Sequence, residues 1–93
     1  MLVGTLQVEL YIPGMASLKE KRFVLKSLKT RVQNRFNVSV AEVEHQDKWQ
    51  RASLGIACVS NDRRFLDKTL SNVMNAVQRE SRVEILNQII EIL

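Results

Sequence analysis

The sequence is poor in the residues that form covalent cross-links and metal sites. It has one cysteine, Cys58, and one histidine, His45. A single thiol excludes an intrachain disulfide, which fits a reducing, cytosolic setting. One histidine and one cysteine cannot form a typical Cys/His metal site, and no P-loop or G-x-G-x-x-G motif occurs. We therefore expect no metal, no cofactor, no small-molecule substrate and no enzymatic activity.

Long apolar runs are also missing. No stretch approaches the roughly 20 apolar residues that span a bilayer. The N-terminal residues lack the charged region and apolar segment of a signal peptide. We expect a cytoplasmic protein with no membrane partner. The chain has 93 residues, of which 45% are hydrophobic, and this predicts a single domain over residues 1–93 with one core.

Positive charge is concentrated in one segment. The net charge is +4, yet the segment between Lys19 and Arg35 alone carries +6, since seven basic residues face one acidic residue; the remainder is −2. The basic residues are Lys19, Lys21, Arg22, Lys26, Lys29, Arg31 and Arg35. Such a local excess is typical of a surface that binds an anion or nucleic acid, although a solvated helix face can look the same.

The first half of the chain predicts a strand and a helix. Apolar and polar residues alternate over residues 2–12, which indicates a half-buried strand. Ser17 and Glu20 form a capping box, in which we expect the Glu20 side chain to accept from the Ser17 amide. The helix then runs from Leu18 to about Arg35.

Two further strands follow. The second starts at Phe36 or Asn37, and its change of apolar phase predicts either a bulge near Val40-Ala41 or an edge strand with mixed faces. Residues 45–48 form the turn. The third strand runs from about Trp49 to Val59, and its predicted core face carries Ala52, Leu54, Ile56 and Cys58.

The last two elements complete the pattern. Asn61 or Ser60 is expected to cap a second amphipathic helix that ends near Glu80. The β-branched density of residues 82–92 predicts a final strand with a phase slip. We find no internal repeat. The order predicts an α+β, ferredoxin-like β-α-β-β-α-β sandwich, with a four-stranded antiparallel sheet and both helices on one face.

One row of cations is the first candidate site. Lys19, Arg22, Lys26 and Lys29 are spaced +3, +4, +3, so they stack along the first helix and repel one another. An anionic partner such as a phosphate backbone would neutralise them. Arg64 and Lys68 on the second helix could extend the surface. The alternative is a solvated helix face.

Aromatic and hairpin residues supply further candidates. Phe23 is predicted on the solvent side of the first helix, as a stacking residue or as an ordinary exposed side chain. At the hairpin tip His45, Trp49 and Arg51 could read RNA bases. The alternative there is a tight turn capped by Asp47 and covered by Trp49.

The uncovered sheet face lacks the aromatics of RNA-recognition motifs. On the third strand it presents Ser53, Gly55 and Ala57, and only Tyr11 on the first strand is aromatic. A smooth face of small residues suits self-association instead.

The whole chain resembles the YlxP-like family, small bacterial proteins of unassigned function. The strings that carry the resemblance are residues 17–22 (SLKEKR), 35–43 (RFNVSVAEV), 45–47 (HQD), 49–52 (WQRA) and 59–62 (VSND). The resemblance implies a ferredoxin-like fold. Members are often encoded beside transcription-elongation, translation-initiation and ribosome-maturation factors, which implies a role around RNA or the ribosome.

These observations lead to two functional hypotheses. The first is a non-catalytic RNA- or ribosome-associated protein that binds through Lys19, Arg22, Lys26 and Lys29. Its other expected contacts are Arg64, Lys68, His45, Trp49 and Arg51. The second is a protein-interaction module that forms a homodimer through its open sheet face.

Overall fold

The computed structural model describes all 93 residues, Met1–Leu93, and confirms the ferredoxin-like fold. Its elements are β1 (Leu2–Tyr11), α1 (Leu18–Arg35), β2 (Ser39–Glu44), β3 (Arg51–Ser60), α2 (Arg63–Gln78) and β4 (Glu84–Ile92). The strands form one antiparallel sheet in the order β2-β3-β1-β4, and both helices pack on one of its faces. No helix has the length and apolar content needed to cross a membrane.

The core lies between the helices and the sheet and follows from the alternation of the central strands. β1 buries Leu6, Val8 and Leu10 completely, and β3 buries the predicted set from Ala52 to Cys58. Each large apolar side chain removed from water contributes roughly 1.5–3 kcal/mol. The helices add the following buried residues: Val24, Leu25, Leu28, Val32, Leu66, Leu70, Val73, Met74 and Val77.

The start of α1 matches the predicted cap, with one difference. Ser17 Oγ accepts a hydrogen bond from the Glu20 amide at 3.2 Å. The Glu20 carboxylate accepts from the amide of Ala16 at 2.9 Å, and not from that of Ser17 as expected. The Ser17 backbone is extended (φ −159°, ψ 161°), so the chain approaches the helix with the Ala16 amide beside the carboxylate.

The predicted position of the bulge in β2 is wrong. Val40 and Ala41 pair with β3 in an unbroken register, and the shift lies between Glu42 and Glu44. Ala41 lies on the open face opposite Gly55, and Val43 packs over that glycine. A Cβ built on Gly55 would meet Val43 Cγ1 at 3.0 Å. The alternative prediction is confirmed, because β2 is an edge strand with Val40 in the core and Ala41 and Val43 on the open face.

The helix α2 also starts and ends differently from the prediction. Asp62 is the N-cap, rather than Asn61 or Ser60, since its carboxylate accepts from the amides of Arg64 at 2.9 Å and Phe65 at 3.4 Å. Ser60 instead accepts from the Asp62 amide at 3.1 Å. The helix ends at Gln78, two residues before the expected Glu80.

The strand β4 is present, as predicted, with a register shift where it passes Glu9 and Leu10 of β1. It forms one edge of the sheet and exposes Leu86, Ile89 and Ile90. The helices cover this edge less completely than the centre of the sheet.

Candidate functional site

A shallow groove runs between α1 and the β2–β3 side of the sheet. Its volume is about 330 Å³, and it is lined by Arg22, Leu25, Lys26, Lys29, Glu42 and Leu54. Leu25 and Leu54 belong to the buried core, whereas the three cations are exposed. The groove therefore combines an apolar floor with a positively charged wall.

The seven basic residues of the segment from Lys19 to Arg35 fall into two groups. Lys21 and Arg31 form salt bridges, and Arg35 lies 5.4 Å from the centre of the Phe36 ring. The other four are exposed and form no salt bridge: Lys19, Arg22, Lys26 and Lys29. These four are the row that the sequence analysis singled out.

Lys21 is the one basic residue of this segment that is buried. The sequence shows it only as part of the positive charge of the segment, whereas its side chain is 1% exposed in the structure. Its ammonium group lies 2.9 Å from Glu42 Oε2 and donates to the His45 carbonyl at 2.5 Å. A buried ammonium needs such partners because desolvation without them is costly. Lys21 thus joins the start of α1 to the β2–β3 hairpin and neutralises the one acid that lines the groove.

A second ionic cluster lies near the other end of α1, around Glu80. This carboxylate is 5% exposed and accepts hydrogen bonds from Arg31 and from the Arg82 side chain and amide. The Arg82 side-chain hydrogen bonds are the main cause that lowers the pKa of Glu80 to about 2, and burial opposes them. Arg31 is therefore engaged with Glu80, although its side chain is 51% exposed.

The hairpin residues separate into engaged and free side chains. His45 Nε2 lies 3.3 Å and Arg51 Nη2 lies 3.9 Å from Glu9 Oε2. The structure brings these two predicted readers together around one carboxylate. Residues 45–48 form the expected turn, closed by a hydrogen bond from the Lys48 amide to the His45 carbonyl at 3.1 Å. Trp49 is 52% exposed beside it.

Three potential metal ligands also meet at this hairpin. The donor atoms of Glu9, Glu44 and His45 lie within 4.8 Å of one another. Carboxylate and imidazole groups do bind divalent metals. However, the Arg51 guanidinium lies 3.9 Å from the same Glu9 oxygen, so a cation there would meet positive charge. We assign no metal to this cluster.

The predicted cations of α2 do not line the groove between the two helices. Arg64 and Lys68 are exposed in the first half of α2. The groove between the two helices, about 210 Å³ in volume, is formed on the α2 side by Ala76 and Arg79. Arg79 follows Lys68 by 11 residues, or roughly 17 Å of helix. Arg79, rather than Arg64 or Lys68, thus lines this groove with α1.

The sequence of this chain matches a known protein family over most of its length. The family described as "Protein of unknown function (DUF503)" matches residues 3–89. The chain belongs to this DUF503 family. A curated relative, "Uncharacterized protein YlxP" of Bacillus subtilis (strain 168), is 46% identical over 83 residues, which cover 89% of this chain and 90% of the relative.

Solved structures share the fold of this DUF503 domain at low sequence identity. A de novo designed ferredoxin-fold protein, LFR1 1, is 16% identical with a TM-score of 0.52, and the match covers 100% of this chain and 84% of that one. SnoaB, a cofactor-independent oxygenase from Streptomyces nogalater, is 8% identical with a TM-score of 0.57, covering 98% and 90%. Designed proteins and enzymes thus share this architecture, and at these identities the likeness shows the fold alone.

The DUF503 domain has two other features of interest, its single cysteine and its open sheet face. Cys58 is buried on the core face, as predicted, and burial raises the pKa of its thiol, which disfavours the reactive thiolate. The open sheet face carries a broad concavity of about 560 Å³. Its apolar side chains include Ala41, Val43, Ala57 and Ile89.

Proposed function

We propose that this protein binds RNA, free or within the ribosome, through the α1 groove and catalyses no reaction. The observation that carries the proposal is the division of the basic segment. Lys21 and Arg31 form salt bridges and Arg35 lies against the Phe36 ring, whereas Lys19, Arg22, Lys26 and Lys29 have no such partner. Four adjacent, unneutralised cations repel one another, and a polyanion relieves that repulsion.

The length of the row favours a polymer over a small anion. Lys19 and Lys29 are ten residues apart, or roughly 15 Å along the helix. This span exceeds a single phosphate and suits several phosphates of one backbone. The choice of RNA among polyanions rests on the family resemblance described above, which implies a role around RNA or the ribosome.

The test is an anisotropy titration of a fluorescein-labelled RNA hairpin at several salt concentrations between about 50 and 200 mM. If all four cations contact phosphates, log Kobs should fall with log salt with a slope of about −3. The double variant Lys26→Glu, Lys29→Glu should bind at least tenfold more weakly with a shallower slope, because two contacts become repulsive.

A matched control separates the effect of the groove cations on RNA affinity from the effect of net charge. Lys48 is exposed in the hairpin turn and forms no ion pair. Lys48→Glu and Lys26→Glu change the net charge equally, so only Lys26→Glu should cause a large loss. Equal losses, or no binding by the wild type at low salt, would refute the proposal.

A second candidate function is a homodimer formed through the open sheet face, favoured by the concavity on that face. Its centre holds Gly55 and Ala57, with Ile89 exposed beside them. Small side chains let a second copy approach closely, and apolar ones gain by leaving water. Sedimentation of the wild type and of Ala57→Arg tests it, and a monomeric wild type at high protein concentration excludes it.

A further inference from the structure

Both helices carry the same short motif. Residues 21–26 read Lys-Arg-Phe-Val-Leu-Lys, and residues 63–68 read Arg-Arg-Phe-Leu-Asp-Lys. The shared pattern is a basic pair, a phenylalanine, an aliphatic residue and a lysine three positions after the phenylalanine. Six residues are shorter than a structural repeat unit, so the similarity is confined to these two helix segments.

The two copies occupy equivalent environments. The aliphatic residue is buried in each, Val24 at 3% and Leu66 at 0% exposure. The phenylalanine before it is exposed in each, Phe23 at 70% and Phe65 at 56%. Successive helix positions are 100° apart, so the residue directly before a core-facing one can project outward, as both phenylalanines do. Because both helices cover the same face of the sheet, both rings lie on the helical side of the molecule.

Each exposed ring has cations beside it. Lys26 and Lys68 follow their phenylalanines by three residues, which on a helix surface brings Cβ atoms to about 5–6 Å. Arg22 and Arg64 directly precede the rings. None of these four cations forms a salt bridge. Each copy therefore presents a flat apolar surface next to two available positive charges.

We propose that these two units, Arg22-Phe23-x-x-Lys26 and Arg64-Phe65-x-x-Lys68, each bind one unpaired nucleotide of single-stranded RNA. The base stacks on the phenylalanine ring, and the flanking phosphates contact the arginine and lysine. This inference rests on the proposed RNA-binding function and specifies its ligand as single-stranded. A duplex cannot use the rings, because its bases are already stacked inside the helix.

The surroundings of the first unit provide a partial enclosure for the base. A groove of about 380 Å³ beside Phe23 is lined by Met15, Lys19, Glu20 and Val24. Its apolar members give a base a second surface to contact, and Lys19 is another free cation of the α1 row. The groove has one free cation, Lys19, and one carboxylate, Glu20, which accepts a hydrogen bond from the Ala16 amide, so its apolar surface is its main contribution to binding a base. A larger contribution is therefore expected from Phe23 than from Phe65.

The test is a titration of fluorescein-labelled oligouridylate and of a duplex RNA of equal length. It uses the wild type, the double variant Phe23→Leu, Phe65→Leu, and the rescue variant Phe23→Tyr, Phe65→Tyr. Leucine preserves apolar bulk but removes the ring, so affinity for the single strand should fall about tenfold or more. Tyrosine should restore it. The salt slope should stay unchanged in both variants, because no phosphate contact is removed.

The outcomes separate this inference from the proposed function. Wild-type binding that is equal for duplex and single strand, or unchanged in the leucine variant, overturns the stacking units and leaves RNA binding through the cation row in place. A leucine variant with a reduced salt slope also overturns them, since the loss would then come from a disturbed row. If the wild type binds neither RNA at low salt, both proposals fall.

Discussion

Glu80 is a buried carboxylate whose ionisation should contribute measurably to stability. Hydrogen bonds from the Arg82 side chain, aided by the Arg82 amide and by the charges of Arg82 and Arg31, lower its pKa from 4.5 to about 2 despite burial. One unit of pKa is worth about 1.4 kcal/mol. The difference therefore corresponds to roughly 3 kcal/mol of folding free energy, reduced to about 2 kcal/mol because Arg31 and Arg82 are partly exposed and screened.

The direction of the pKa shift of Glu80 determines how the stability of the fold depends on pH. The pKa of Glu80 is lower in the folded state, so the stabilisation is complete above about pH 4.5 and disappears as the pH falls toward 2. In Glu80→Gln the free energy of unfolding at pH 7 should drop by about 2 kcal/mol. The difference in the free energy of unfolding between wild type and Glu80→Gln should then narrow as the pH falls from 4.5 to 2.

Urea unfolding across this pH range, followed by circular dichroism, measures the effect. Other carboxylates titrate in the same range, so the informative quantity is the difference between wild type and variant. Glu84 is exposed and forms no ion pair, and Glu84→Gln should change stability by less than about 0.5 kcal/mol. Parallel curves for wild type and Glu80→Gln would refute the reasoning.

Two further measurements address other buried groups. Lys21→Met leaves Glu42 and the His45 carbonyl without their partner, so urea unfolding should show a loss of about 2–4 kcal/mol. Lys26→Met should cost less than about 0.5 kcal/mol, and equal losses would contradict the buried role of Lys21. Cys58 should react with a thiol reagent only slowly until urea unfolds the protein, because burial raises its pKa and blocks access; fast labelling of the folded protein would contradict its burial.

Local patterns made most of the fold predictable. Alternation in the first and third strands located the two central strands and the buried set of β3, and the Ser17 hydroxyl located the start of α1. These signals depend on neighbours within a few residues. The bulge in β2 was misplaced because the phase change came from Val43 packing over Gly55 across the strand pair, which the sequence of β2 alone does not contain.

The site was predictable only in part, for a related reason. The free cations could be selected by helical spacing, but the engaged ones could not. Lys21 resembles its solvated neighbours in sequence, and its partner His45 lies 24 residues away. Arg31 pairs with Glu80 across 49 residues. Whether a cation holds the fold together or remains available depends on such distant contacts.

The helix α1 is fastened near both ends. Lys21 attaches its first turns to the hairpin, and Arg31 attaches its later turns to the connection after α2. Arg22, Lys26 and Lys29 lie between these two contacts. Their spacing is therefore fixed before a ligand binds, and binding of the proposed RNA does not need to order the helix. Substitutions at Glu80 should therefore weaken binding of the proposed RNA partner by loosening α1, although Glu80 does not line the α1 groove.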